Sequence, residues 1–283
     1  MIVAFGLDDH RHMARALQLA RLGRFTTDPN PRVGCVIADG DRVVGSGWHE
    51  AAGGAHAEIA ALNDAAEPVR GLTAYVTLEP CAFHGRTPPC GDALVEAGVA
   101  RVVAAMQDPN PLVAGQGLER LRAAGIRAEA GLLEADAEAL NPGFLKRMRV
   151  GRPYVRTKLA MSLDGRTAMA SGESQWITGE AARQDVQRLR ARSSAVVTGI
   201  GTILADDPSM NVRLAVAELH GVEQPDYLRQ PLRVILDSEL RTPPTAPAAI
   251  AARLRQDPGP EIAYAAMSAL HARPSVGRDS SAY

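Results

Sequence analysis

The sequence predicts an α/β protein made of two successive domains. Three observations lead there. Short aliphatic and β-branched runs alternate with helical segments instead of clustering by type. Glycine and proline punctuate the joins. The 283 residues are 46% hydrophobic and 22% charged, as in globular proteins that bury a sizeable core.

Residues 10–23 put Met13, Leu17 and Ala20 on one helical face, with Gly23 as a stop. The turn-rich stretch TTDPNPR covers 26–32. Strands are predicted at 33–38 and 42–48 around the turn ADGD, and a helix at 56–66. A strand follows at 73–80. The segment 88–98 enters with proline and leaves with glycine, which marks a helix. A strand at 101–106 and a helix at 117–125 complete a first domain over 1–150. The stretch 141–153 ends in Gly151-Arg152-Pro153, which resembles a linker, and a second domain is expected after it. Beyond it, strands are expected at 154–162, 194–200 and 231–238, with a helix at 180–192. These form a second, partial α/β domain over 151–244. From 241 the chain turns rich in Ala, Pro and Arg, and Val276 is its only further valine. That composition predicts a tail over 245–283 with no core strand, a short amphipathic helix near 261–272 and little fixed order.

Composition narrows the partners. A net charge of −1 and a pI of about 6.7 lack the basic excess of a nucleic-acid binder. No apolar run is long enough to span a bilayer, and the start turns acidic instead of resembling a signal peptide, so a cytoplasmic location is expected. Three cysteines do not make a disulfide framework. Cys35 lies inside a predicted strand as a small core residue. The other two stand in a pattern.

That pattern is His56-Ala57-Glu58, then Pro80-Cys81, then Cys90. One imidazole and two thiolates suit zinc, and three protein ligands leave a fourth position open for catalysis. Zinc deaminases carry H-x-E followed by P-C-x-x-C, with the glutamate as acid/base and not as a ligand. Here the second half is stretched, with eight residues between Cys81 and Cys90. Cys90 begins a predicted helix, where the dipole favours a thiolate. His56 and Glu58, expected in the first turn of their helix, would serve the metal and the proton transfer respectively. A purely structural zinc would call for a fourth ligand, and no fourth cysteine stands nearby.

With these residues in place, the sequence resembles the bifunctional pyrimidine deaminase/reductases of riboflavin biosynthesis. The stretches that carry the likeness are TTDPNPRVGCVI (26–37), GWHEAAGGAHAE (47–58), TLEPCAFHGRTPPC (77–90), 151–178 and 190–213. The resemblance implies a three-layer cytidine-deaminase-like domain followed by an incomplete dihydrofolate-reductase-like domain. The first would remove an amino group from a phosphoribosylated diaminopyrimidinone, and the second would reduce the ribosyl group with NADPH. Carried over by position, Asn30, His49 and Arg86 contact the pyrimidine. Ala160, Trp176, Thr202 and Asp206 contact the cofactor. Lys158, Ser174, Arg190, Met210 and Arg213 contact the reductase substrate; paired guanidinium donors suit a phosphate. Two departures stand out. Phe83 occupies the place of a family histidine, with His84 one position later. The family's reductase also continues past this chain's end with a glycine-rich loop. The expectation is therefore a truncated or frame-altered reductase that works poorly beside an intact deaminase, in a chain that can form a homo-oligomer. The alternatives are a deaminase of another nucleobase or nucleotide, a nucleic-acid-editing deaminase, and a non-catalytic zinc module from a decayed gene. A low aromatic content of 4% argues against the nucleic-acid editor, which would stack bases on aromatic rings.

Overall fold

The computed structural model of the chain describes residues 5–82, 89–214, 229–250 and 263–265. Two compact units divide between Val155 and Arg156.

In the first unit, helix α1 (Leu7–Ala20) and a 3-10 turn (Arg21–Phe25) precede the hairpin of β1 (Gly34–Asp39) and β2 (Arg42–Trp48). Then come α2 (Ala57–Asp64), β3 (Thr73–Val76), α3 (Cys90–Ala97), β4 (Arg101–Ala104), α4 (Gln116–Ala123), β5 (Arg127–Ala130), α5 (Glu134–Leu140) and α6 (Pro142–Val150). The sheet runs β2-β1-β3-β4-β5. Its β1 is antiparallel to both neighbours, while β3, β4 and β5 are parallel. Side chains of a strand alternate between faces, and both faces here are covered. Cys35, Ile37, Ala74, Val76, Val102 and Ala104 face one core with Ala61 of α2, Leu94 of α3 and Leu118 and Leu121 of α4. Val36, Ala38, Tyr75 and Val103 face the other, with Met13 and Leu17 of α1, Ala137 of α5 and Leu145 of α6. Two-sided burial explains why these strands read as nearly unbroken apolar runs. Helix α2 comes very close to β2. A Cβ on Gly47 would sit 2.5 Å from the Ala61 amide nitrogen, so only glycine admits this approach.

A polar cluster ties α1 to the sheet. Arg101 of β4 donates to both Asp9 oxygens at 2.7 and 3.2 Å and to Glu129 of β5 at 2.7 Å. The Tyr75 hydroxyl and the Gly6 amide also donate to Asp9. Burial acts to raise the Asp9 pKa, but its hydrogen bonds from Arg101, Gly6 and Tyr75 outweigh it and hold the group down at about 2. A depressed carboxylate stabilises the fold above its ordinary value and loses that contribution as pH falls through its folded value. Asp9→Asn is therefore expected to cost about 2 kcal/mol at neutral pH, the scale of hydrogen bonds to a charged group. The gap from wild type should close as pH drops from 3.8 towards about 2. Denaturant unfolding across that range checks this; a gap that does not change with pH would contradict it.

The second unit holds α7 (Glu180–Ala191), β6 (Ala195–Gly199), α8 (Ile200–Asp206), β7 (Leu232–Leu236), α9 (Pro247–Ile250) and β8 (Ala263–Ala265). Its three strands pair in parallel in the order β6-β7-β8. Ile203, Met210, Ile235, Ala246 and Ala248 form its small core.

Several expectations are corrected. The stretch just before Gly151-Arg152-Pro153, given no element from the sequence, is helix α6, because Pro142 starts a helix well and Gly151 ends it in the left-handed conformation. The expected strand at 154–162 is absent. A strand persists only as part of a hydrogen-bonded ladder, and no neighbour pairs with this segment among the described residues; Val155, Leu159 and Met161 are exposed. In the tail, β8 replaces the expected helix at its described positions, as pairing with β7 overrides the local alanine preference. The sequence reading did not place β5, α5 or α8, which are short.

Candidate metal centre and active site

The site lies at the carboxyl end of β3, where α2 and α3 begin. This is the usual place for ligands in an α/β sheet. His56 is the residue before α2, with extended backbone (φ −72°, ψ 160°), not part of the first turn as expected. Glu58 is in that first turn and is 3% exposed. Cys81 follows β3, and Cys90 opens α3.

Folding brings His56, Cys81 and Cys90 together, with their ligand atoms all within 4.8 Å of one another. This is the one such cluster of potential ligands among the described residues. His56 Nδ1 lies 3.1 Å from Cys90 Sγ and 3.8 Å from Cys81 Sγ. The donor set fits zinc. Thiolate and imidazole ligands at about 2.0–2.3 Å from a tetrahedral ion stand some 3.3–3.8 Å apart, close to the spacing here. The Cys90 amide donates to Cys81 Sγ at 3.2 Å. The Cys90 thiol, then His56 and that amide bond, push the Cys81 thiol down to about 4 against the effect of burial. The Cys90 thiol is pushed up, first by its bond to Cys81 and then by burial. Glu58 is pushed up to about 7 by burial and by the neighbouring Cys81 charge.

Beside the cluster, Asn30 Nδ2 donates to His49 Nε2 at 3.1 Å, and His49 Nδ1 donates to the Ala55 carbonyl at 2.9 Å. These partners fix one neutral tautomer of His49, whose pKa is lowered mainly by burial. Its ring stands edge-on to His56, with centroids 5.6 Å apart. The Asn30 loop is anchored two residues later. The Arg32 amide donates to Asn141 Oδ1 at 2.8 Å, and Asn141 Nδ2 returns a bond to the Arg32 carbonyl at 2.9 Å. Arg86, Phe83 and His84 lie outside the described residues.

In the second unit, Thr202 and Asp206 are exposed one turn apart on α8, directly after β6. Trp176 lies beneath the Arg183 guanidinium, 4.6 Å from ring centroid to carbon. Arg190 donates to the Asn211 carbonyl and Arg213 to Ser209 Oγ. The Arg190 pKa is lowered by burial and by the charges of Arg213 and Arg233, so three guanidinium groups share this region. Lys158 and Ser174 are exposed and Ala160 is half-buried. Met210 packs into the small core, 4% exposed.

Comparison with known proteins gives a consistent picture. Residues 7–106 match the sequence model of the cytidine and deoxycytidylate deaminase zinc-binding region, and residues 153–266 that of the RibD C-terminal domain. The riboflavin biosynthesis protein RibD of Escherichia coli is 58% identical over 257 residues, which cover 89% of this chain and 68% of the relative. The chain belongs to the RibD family. The Haemophilus influenzae RibD is 57% identical over 86% of this chain and 66% of its own length. A solved Acinetobacter baumannii RibD superposes with a TM-score of 0.81 at 55% identity, over 87% of this chain and 68% of that one. A Thermotoga maritima structure, described as a diaminohydroxyphosphoribosylaminopyrimidine deaminase/5-amino-6-(5-phosphoribosylamino)uracil reductase, superposes with a TM-score of 0.74 at 40% identity. This chain spans about two thirds of the length of these RibD relatives. As a RibD-family member it is an enzyme of riboflavin biosynthesis, with a zinc-binding deaminase region and a RibD C-terminal domain. No helix among its described residues is long and apolar enough to cross a membrane.

Sequence reasoning missed the supports of this RibD site. Glu79 and Asp92 flank Cys81 and Cys90 in sequence, and Arg120 of α4 donates to Asp92 and to the Ala82 carbonyl. Only the TLEP stretch before Cys81 hinted at one of them, since nothing in local spacing tells a buried carboxylate from a solvated one.

Proposed function

We propose that the first unit hydrolytically deaminates the phosphoribosylated 2,5-diaminopyrimidinone of riboflavin biosynthesis, using zinc held by His56, Cys81 and Cys90. One observation supports this reading above the others: a buried Glu58 beside a three-member His/Cys/Cys cluster that leaves one ligand position free. Zinc, when bound, supplies the Lewis acidity that brings water's pKa towards neutrality. Glu58 accepts a proton from the attacking water and returns it to the departing amino nitrogen. The net change is water and a ring N=C–NH2 unit converted to HN–C=O and ammonia, the second water proton ending on the ring nitrogen. A single buried carboxyl group beside the cluster can perform both steps, first as base and then as acid. The neutral pair Asn30 and His49 presents hydrogen-bonding groups to the pyrimidine beside the cluster. Arg86 is assigned to the same substrate.

The second unit is assigned the NADPH-dependent reduction of the ribosyl carbon. Thr202 and Asp206 fit a cofactor by their place at the carboxyl end of β6, together with Ala160 and Trp176. NADPH, when bound, supplies the hydride. Arg190 and Arg213 supply the clustered positive charge that a sugar phosphate needs, with Lys158, Ser174 and Met210 assigned to the same substrate. The substrate is small and the reaction is assigned to the cytoplasm; assembly as a homo-oligomer belongs to the same reading.

The test is incubation of the protein with the diaminopyrimidine phosphate, with and without NADPH, and identification of products by mass. Release of ammonia and replacement of one amino group by an oxo group, without NADPH, is the expected result. Unchanged substrate in the presence of zinc-loaded protein contradicts the assignment.

A further inference from the structure

The metal cluster depends on two segments that are nine residues apart in sequence, and α4 touches both. Glu79, two residues before Cys81, is 5% exposed. Its carboxylate accepts four backbone N–H groups: Asp108 at 3.0 Å, Gly115 at 2.9 Å, Gly117 at 2.8 Å and Leu118 at 3.1 Å. Three of these lie at the start of α4, where a negative charge also meets the positive end of the helix dipole. The contact is tight. A Cβ on Gly117 would fall 1.9 Å from the Pro80 carbonyl oxygen, the residue just before Cys81. One turn along, Arg120 of α4 reaches the other side. Its guanidinium donates to both carboxylate oxygens of Asp92, two residues after Cys90, one of these bonds measuring 2.7 Å. It also donates to the carbonyl of Ala82, just after Cys81, at 3.4 Å.

We propose that Glu79 and Arg120 are positioning residues for the metal centre, which use α4 as a brace to hold the Cys81 and Cys90 segments at ligand spacing. The proposal rests on the reading that His56, Cys81 and Cys90 bind zinc. Neither residue contacts the ligand atoms. Both fix the backbone from which the cysteines project. Supports of this kind set metal affinity through orientation, and losing one costs about 10–100-fold in affinity. Arg120 separates this role from ordinary stabilisation. Exposed Arg–carboxylate pairs contribute little to folding, and this one is half-exposed. A merely structural Arg120 would leave both folding and metal binding almost unchanged.

The experiment measures zinc affinity by competition with a chromophoric chelator in wild type, Arg120→Ala, Asp92→Asn and Glu79→Gln, together with the melting temperature of each metal-free protein. The cobalt(II) form of each gives a thiolate charge-transfer band as a second readout. Arg120→Ala is expected to weaken zinc binding about tenfold and to perturb the cobalt band, with the metal-free melting temperature nearly unchanged. Asp92→Asn should show the same direction, and Glu79→Gln a larger loss. Arg120→Ala with wild-type zinc affinity and an unaltered cobalt band overturns the proposal, whatever Glu79→Gln does. A wild-type protein that binds no zinc overturns the metal reading itself, and this inference with it; the two failures are told apart by the wild-type measurement.

Discussion

Glu58→Gln is expected to keep its zinc and to lose deamination by about 10²–10⁴-fold, the range that a positioned acid/base contributes. Glutamine has nearly the shape of glutamate, so the packing around this 3%-exposed side chain should survive. The zinc ligands are other residues, so metal content should stay near that of wild type. What the amide cannot do is take up a proton from water and hand it on. The loss should fall on the turnover number far more than on the Michaelis constant, because the missing group acts in the transition state. Metal analysis together with steady-state ammonia release decides the matter. A variant that retains its activity would remove Glu58 from the mechanism, and one that loses its zinc would show that the residue supports the metal instead.

Cys81→Ser is expected to remove both the zinc and the activity. The Cys90 thiol and His56 push the Cys81 thiol down to about 4, and the thiolate is the form that binds zinc. A serine hydroxyl in its place stays protonated at neutral pH and is a poor zinc ligand. With only His56 and Cys90 left, zinc content should fall from about one per chain to near zero and ammonia release below detection. The fold should persist, since the two apolar clusters on either face of the sheet are complete without the metal. Circular dichroism that shows native secondary structure, with zinc absent, is the expected outcome. Full zinc occupancy in this variant would remove Cys81 from the ligand set.

Most of the first unit could be read from the sequence because its strands are buried on both faces and its helices carry one apolar stripe. Spacing alone puts Met13, Leu17 and Ala20 on one helical face, and all three are buried. The order His56, Glu58, Cys81, Cys90 could likewise be read, as the chemistry demands particular residue types near particular elements. The long-range polar contacts could not. Asp9 meets Arg101 across 92 positions, and Glu79 meets Leu118 across 39. No local period encodes either pairing. Residues 154–162 show the opposite failure. Their alternation is that of a strand, but a strand also needs a neighbour to pair with, and pairing is not a property of the segment itself.

The direct test of the zinc-dependent deaminase is ammonia release from the diaminopyrimidine phosphate by one preparation in three states: as purified, stripped with a chelator, and reloaded with zinc. Activity is expected in the first state, its loss in the second and its return in the third, with about one zinc per chain in both active states. Equal ammonia release from the stripped protein, with its zinc shown to be gone, would contradict it.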